Sequence, residues 1–269
     1  MNAITSRQNP IVQACRDLAR HRPAGGDQVL LDGVHLIGEA LEAGISVTTV
    51  LLAAKVLESD EGASLCRRLE RAGAAVYRAS DAAMDAASPV RTPSGAVAVG
   101  RVVPRPRSAA WTPTPALVAC VAGVQDPGNV GAILRAAEAA GATGAIVTDG
   151  SADPLGWKAL RGSMGSALRL PLLLGLDVTT ACEEARRRGV PVAATTPGEG
   201  SDLYETDLRG PLLLLVGGEG PGLPDEAIAG ADLRIRIPMR GPVESLNAAV
   251  AAAIVLFEVR RQRLGVART

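Results

Sequence analysis

Aromatic side chains are nearly absent from this sequence: two tryptophans, two tyrosines and one phenylalanine in 269 residues. A sheet face that stacks splayed single-stranded bases needs several aromatics, so that class of RNA binder is disfavoured. Lysine is as scarce, with only Lys55 and Lys158 beside many arginines, and the formal net charge is zero. No global positive field attracts nucleic acid, so any RNA contact has to be local. Cysteine occurs four times, at Cys15, Cys66, Cys120 and Cys182. With no CxxC pair and no clustered histidines, these read as buried free thiols, not as a disulfide framework or a zinc site. No apolar run reaches the roughly 18 residues of a membrane span, and the opening MNAITSRQNP lacks a secretory h-region. No membrane, no metal and a cytoplasmic location are the expectations.

What is present is apolar content of 47%, ample for a core, and length enough for two ordinary domains. A proline-rich seam, RVVPRPRSAAWTPTP, interrupts two apolar blocks and reads as an extended linker over 101–116, separating a domain at 1–100 from one at 117–269. Before the seam, helical spacing covers about 9–21 and 33–43, with Leu36, Ala40 and Leu41 on one face and Gly44 as a stop. Short β-rich runs at 47–53, around Val76 and at 95–100 complete a small α/β block. After the seam come LVACVAGV, GAIVTD, LPLLLG, VPVAATT, PLLLLVGG and LRIRIP. Strands without polar alternation are buried on both faces, which points to a parallel sheet covered by helices. One helix is expected over 129–140, capped by Asn129 and stopped at Gly141, and a last one from about Ser245 to Leu264.

Ligands of such sheets bind outside the carboxyl ends of strands, where three stretches hold unusual residues. In GVQDPGNVGAILRAAEAAG, Ile133, Leu134 and Ala137 face the core, while Arg135 and Glu138 form either a solvated i,i+3 pair or leave the guanidinium free to grip a phosphate. In PLLLLVGGEGPGLP, the glycines make either a tight turn or a place where a ligand approaches backbone closely. Its proline and acid suit a pyrophosphate poorly, and no GxxxxGK[ST] occurs anywhere. In LRIRIPMRGPVESLNAAVAAAIVLFEVRRQR, Ser245 serves as a helix cap, but Asn247 gains little from a first-turn position.

Taken together, in content and order, these stretches resemble the three motifs of the SpoU/TrmH family of RNA ribose methyltransferases. Asn129, Gly131 and Arg135 match the first motif; Gly217, Glu219 and Gly222-Leu223 the second; Ile237-Pro238-Met239 and Ser245-Leu246-Asn247 the third. ALRGSMGSALRLP looks like the helix and strand that link them, so the similarity spans 117–264. The N-terminal part resembles, more loosely, the family's ribosomal-protein-like α/β/α substrate-binding domain, through ITSRQNPIVQACRDL and LLDGVHLIGEAL. Asp32-Gly33 stands where Glu-Gly is usual, and the basic stretch near 20–28 is thinned to His21-Arg22. Those departures bear on the RNA target and not on the enzyme class.

The resemblance implies a Rossmann-like, mostly parallel sheet with a deep trefoil knot, an exception to general topology rules. It also implies a homodimer and an RNA substrate, ribosomal RNA in preference to transfer RNA. S-adenosylmethionine would lie bent against Thr195, Gly217, Gly218, Ile237, Met239 and Leu246, and its methyl would pass to a ribose 2′-hydroxyl. Arg135 would hold the ribose-phosphate and the developing alkoxide, with Asn129, Glu219, Ser245 and Asn247 orienting it and the ribose. Two other readings compete: a non-catalytic RNA-binding relative, against which the intact polar set counts, and a nucleotide-dependent oxidoreductase.

Overall fold

The computed structural model of the chain describes residues 1–220 and 222–266. Their contacts gather into two compact units, Met1–Pro104 with Leu155–Leu168, and Arg105–Pro154 with the chain from Arg169 onward.

The first unit is built on a mixed five-stranded sheet of β1 (Asn2–Ile4), β2 (Gln28–Asp32), β3 (Ser46–Ala53), β4 (Ala75–Ala79) and β5 (Ala96–Arg101), in the order β1-β4-β3-β5-β2. β4 runs parallel to β1 and β3, and β5 antiparallel to β2 and β3. The Pro10–Arg20 helix starts where Asn9 accepts the Ile11 N–H and Pro10 fills a position that needs no donor. In the Val34–Glu42 helix, Ile37 joins Leu36 and Ala40 in the core, and Leu41, expected on that face, is only half-buried. Gly44 stops it with φ +74°.

Residues 155–168, read from the sequence as part of the second domain, pack with this first unit. Trp157 of the Trp157–Ser163 helix lies against the core of Val12, Leu30, Leu51, Met84 and Val97. Arg161 Nη1 lies 3.8 Å from Asp32 Oδ1, and Ser88 Oγ donates to Asp32 Oδ2 at 2.6 Å. Burial pushes the Asp32 carboxyl up; the Ser88 hydroxyl and the Arg161 charge pull it down by less.

The second unit is a seven-stranded sheet of β6 (Leu117–Ala122), β7 (Gly144–Val147), β8 (Leu172–Leu174), β9 (Val192–Thr196), β10 (Ser201–Asp202), β11 (Leu212–Gly217) and β12 (Leu233–Arg236). Its order is β10-β12-β9-β11-β6-β7-β8, and every pairing is parallel. β6 and β11, at the centre, are buried on both faces almost throughout, as their unbroken apolar runs require. Each leucine buried there stabilises the unit by roughly 1.5–3 kcal/mol. The seam is not an extended tether along its whole length. A 3-10 turn, Arg107–Trp111, buries Ala110 and Trp111 in this core, and the Arg188 guanidinium sits 5.4 Å from the Trp111 ring centre.

Two helix starts differ from the sequence reading. The first is the Pro127–Ala140 helix, capped by Asp126, whose Oδ1 accepts the Asn129 N–H at 2.9 Å, so Asn129 lies in the first turn and is not the cap. A proline tolerated at the first helical position moves the start upstream to the aspartate before it. Ile133, Leu134 and Ala137 are buried as expected, and Gly141 ends the helix with φ +85°. The last helix, Ala248–Val266, packs on this one and is capped by Asn247, not Ser245: the Ala249 and Val250 N–H groups donate to Asn247 Oδ1 at 2.9 and 3.2 Å.

Candidate functional site

From β6 the chain steps outward through β7 and β8, then crosses to the other side of β6 to lay down β9, β11 and β12. That reversal makes the carboxyl ends of β6 and β11 the switch point where a crevice forms in an open α/β sheet. The ends of β12, β9, β11 and β6 lie side by side. Thr195 is at the end of β9, Gly217 ends β11, Ile237 and Met239 follow β12, and Asn129 sits in the helix that follows β6.

Three of the polar residues singled out from the sequence meet. Asn129 Nδ2 donates to Glu219 Oε1 at 2.6 Å, Asn247 Nδ2 donates to the same oxygen at 2.8 Å, and Asn247 Nδ2 also reaches Asn129 Oδ1 at 3.1 Å. Each amide has its orientation fixed by its neighbours. Because Asn247 Oδ1 is committed to the helix N–H groups, its NH2 has to be the side that faces Glu219. Three segments far apart in sequence are thereby tied into one polar knot of side chains.

Glycine at 217 and 218 is a steric necessity. A Cβ on Gly218 would lie 2.1 Å from the Gly123 carbonyl oxygen, and one on Gly217 2.6 Å from the Leu223 nitrogen. The Gly218 N–H meanwhile donates to the Ala122 carbonyl at 2.9 Å, which carries the β11 turn onto the end of β6 and delivers Glu219 to Asn129. Thr195 is half-buried, its hydroxyl donating to the Leu215 carbonyl at 3.0 Å; Ile237 and Met239 are half-buried and Leu246 is exposed.

Arg135 and Ser245 are not part of this network. Both are exposed, and among the described residues neither makes a hydrogen bond or ion pair. The Arg135–Glu138 pair is absent: Glu138 is held by Arg169 through two bonds of 2.7 and 2.8 Å. Sequence reasoning missed Arg169 as that partner and Asp126 as the residue that places Asn129. The Asp-Pro-Gly run was the available signal for Asp126; nothing local marks Arg169. The four thiols are buried, and burial pushes Cys15 up to about 11 and Cys120 higher, so neither offers a thiolate for catalysis. Among the described residues no group of three or more His, Cys, Asp or Glu side chains is placed to hold a metal ion, and no helix is long and apolar enough to cross a membrane.

A parallel α/β sheet with a glycine turn and a closed amide–carboxylate cluster at its switch point defines a ligand-binding enzyme domain, here joined to a second α/β unit. The chain belongs to the SpoU rRNA methylase family, whose model matches residues 116–257, and an MRM3-like substrate-binding domain matches residues 9–98. It is 33% identical over 97% of its length to an uncharacterized tRNA/rRNA methyltransferase, slr1673, of Synechocystis, covering 94% of that protein. It is 31% identical, over 97% of its length and all of the relative's, to the 23S rRNA (guanosine(2553)-2′-O)-methyltransferase RlmP of Bacillus subtilis. Among solved structures, the AdoMet-bound rRNA methyltransferase of Sinorhizobium meliloti superposes with a TM-score of 0.83 at 30% identity, covering 97% of each chain.

Proposed function

We propose that this protein transfers a methyl group from S-adenosylmethionine to the ribose 2′-hydroxyl of a nucleotide in ribosomal RNA. The observation that carries the reading is the Asn129–Glu219–Asn247 cluster at the switch point, in a chain that matches, over 97% of its length, a relative named for this reaction. The residues at the strand ends fit the cofactor by their chemistry. Thr195, Gly217, Gly218, Ile237, Met239 and Leu246 are uncharged, and the apolar ones keep exposed or half-exposed surface beside the strand ends, which suits an adenine and an amino-acid tail. When bound there, the cofactor supplies an activated methyl on a sulfonium.

The chain's own residues do the rest. Asn129 and Asn247 fix Glu219, and Arg135, exposed and uncommitted, is available to hold the ribose-phosphate and the charge that develops on oxygen. Ser245, equally uncommitted, orients the same ribose. The first unit selects the RNA, and the second carries out transfer. Support for that division comes from the separate match of 9–98 to a substrate-binding domain. The β11 turn and the segment before the last helix are the parts that a trefoil knot would use, and the knot is part of this proposal. So is a homodimer: Val250, Phe257 and Leu264, seven residues apart on the last helix, are 48%, 48% and 53% exposed and form one apolar stripe. A cytoplasmic location follows from a ribosomal substrate.

Incubating the pure protein with unmodified 23S rRNA transcript and labelled S-adenosylmethionine, then mapping 2′-O-methyl sites, tests the reading. One modified nucleotide is expected. No transfer to rRNA, together with no cofactor binding at millimolar concentration, would refute it.

A further inference from the structure

The hydroxyl proton needs an acceptor, and we infer that it is the free carboxylate oxygen, Oε2, of Glu219. The inference rests on the methyl-transfer reading and assigns a role inside it. Of the polar groups at the strand ends, Asn129 and Asn247 carry amides and Ser245 a hydroxyl, none of which is a base at neutral pH. A guanidinium is a hydrogen-bond donor with no acceptor atom, which removes Arg135. The only histidines of the chain, His21 and His35, belong to the first unit. Two other carboxylates, Asp126 and Glu244, lie within three residues of a member of the cluster in sequence. Asp126 uses Oδ1 to cap a helix, and Glu244 is exposed, with no hydrogen bond to the cluster among the described residues.

The hydrogen bonds distinguish the two oxygens of Glu219. Oε1 takes both amide donors, at 2.6 and 2.8 Å, and is occupied. Oε2 takes none among the described residues, on a side chain that is exposed at the switch point. One oxygen anchors the group, and the other is open to a donor from outside. An oxygen used only for positioning would not need the second to be left free.

The step balances without another reactant. The ribose oxygen bonds to the methyl carbon, the carbon–sulfur bond breaks with its electron pair kept by sulfur, and the hydroxyl proton passes to Oε2. An ether, a neutral thioether and a carboxylic acid result, and the acid returns its proton to water. A prior alkoxide is unnecessary, because a hydroxyl oxygen gaining a third bond becomes far more acidic than a carboxylic acid. A carboxylate is therefore a strong enough acceptor.

Comparing Glu219→Gln with Glu219→Ala separates this role from positioning. Glutamine keeps an oxygen that can accept from Asn129 and Asn247 but cannot take up a proton; alanine keeps neither function. In single-turnover methylation of 23S rRNA transcript, both variants are expected to fall by about a hundredfold or more and to lie close together. Calorimetric affinity of the glutamine variant for S-adenosylmethionine is expected within about twofold of wild type, with unchanged thermal unfolding. A glutamine variant that recovers most of what alanine loses would overturn the assignment, because positioning alone would then suffice. Loss of cofactor affinity or early unfolding in the glutamine variant would overturn it too, by making the role structural. A wild type that binds cofactor and methylates no rRNA would instead remove the underlying reading, and this assignment with it.

Discussion

Asn247 serves two structures at once: its amide nitrogen holds Glu219 Oε1 at 2.8 Å, and its amide oxygen receives the first N–H groups of the last helix. The two duties can be separated by substitution. Asn247→Ala loses both and is expected to cost about 1 kcal/mol of stability from the missing cap, as well as turnover. Asn247→Asp keeps an oxygen for the helix, where its charge is favourable, but turns a second carboxylate oxygen toward Glu219. It is expected to keep most of the stability and to lose methylation by at least about tenfold. Urea denaturation and single-turnover assays on the two variants check this. An aspartate variant with normal turnover would remove the Asn247 amide from the site.

How much of this was legible in the sequence depended on whether a feature is local. The six apolar runs after the seam became β6, β7, β8, β9, β11 and β12; the unbroken runs of β6 and β11 have no other way to bury both faces, whereas β12 alternates arginine with apolar residues and buries only Ile235. The two-residue strand β10, polar at both positions, gave no such pattern. The Asp60–Arg71 and Asp81–Ala87 helices went unread: one is charged at half of its positions and the other is short, although serine caps at Ser59 and Ser80 mark both. Asn129, Glu219 and Asn247 were each identified by motif, yet no spacing could say that all three share one carboxylate oxygen, since those bonds span 28 to 118 positions. The packing of 155–168 with the first unit was hidden for the same reason. Trp157 reads as an ordinary apolar residue until the core it joins, made of residues from another part of the chain, is in view.

Asp32 gives a pH dependence whose sign follows from burial. Its carboxyl is raised in the folded protein, so the folded state holds that proton more tightly than the unfolded chain. The associated stabilisation is complete below the unfolded carboxylate range, near pH 4, and is lost as pH rises through the raised folded value. Asp32→Asn has no proton to lose, and its side-chain oxygen can still accept from Ser88. It is expected to be at least as stable as wild type at pH 7, with the advantage shrinking as pH falls into the carboxylate range. Chemical denaturation from about pH 4 to about pH 7 checks it. A stability difference that does not change with pH would show that Asp32 does not titrate between the two states.

The apolar stripe on the last helix predicts the oligomeric state. Phe257 is nearly half exposed, so replacing it costs little internal packing, whereas a charge placed in a shared interface would be stranded away from water. Phe257→Asp is expected to be monomeric at micromolar concentration in light scattering, where wild type is expected to be dimeric, with thermal stability of the monomer fold lowered by no more than about 1 kcal/mol. Wild type already monomeric under those conditions would end the dimer proposal.

Arg135 is where an exposed structural charge and a functional group predict the most different outcomes. It has no partner among the described residues and lies on a helix whose core face is made by Ile133, Leu134 and Ala137. Arg135→Ala should therefore change stability by about 0.5 kcal/mol or less. If the guanidinium holds the ribose-phosphate and the charge developing on oxygen, the same change should remove roughly 3 kcal/mol of transition-state stabilisation, about a hundredfold in rate. Arg135→Lys is the sharper variant, since it keeps the charge and loses the planar fork, and it is expected to rescue little. Cofactor affinity should stay near wild type in both, because the proposed cofactor residues are on the ends of β9 and β11, after β12 and before the last helix. Rates, calorimetry and denaturation on one set of proteins separate these effects. Near-normal methylation by Arg135→Ala, on an RNA that wild type modifies, would return Arg135 to the solvated surface and leave Glu219, Asn129 and Asn247 to carry the chemistry without it.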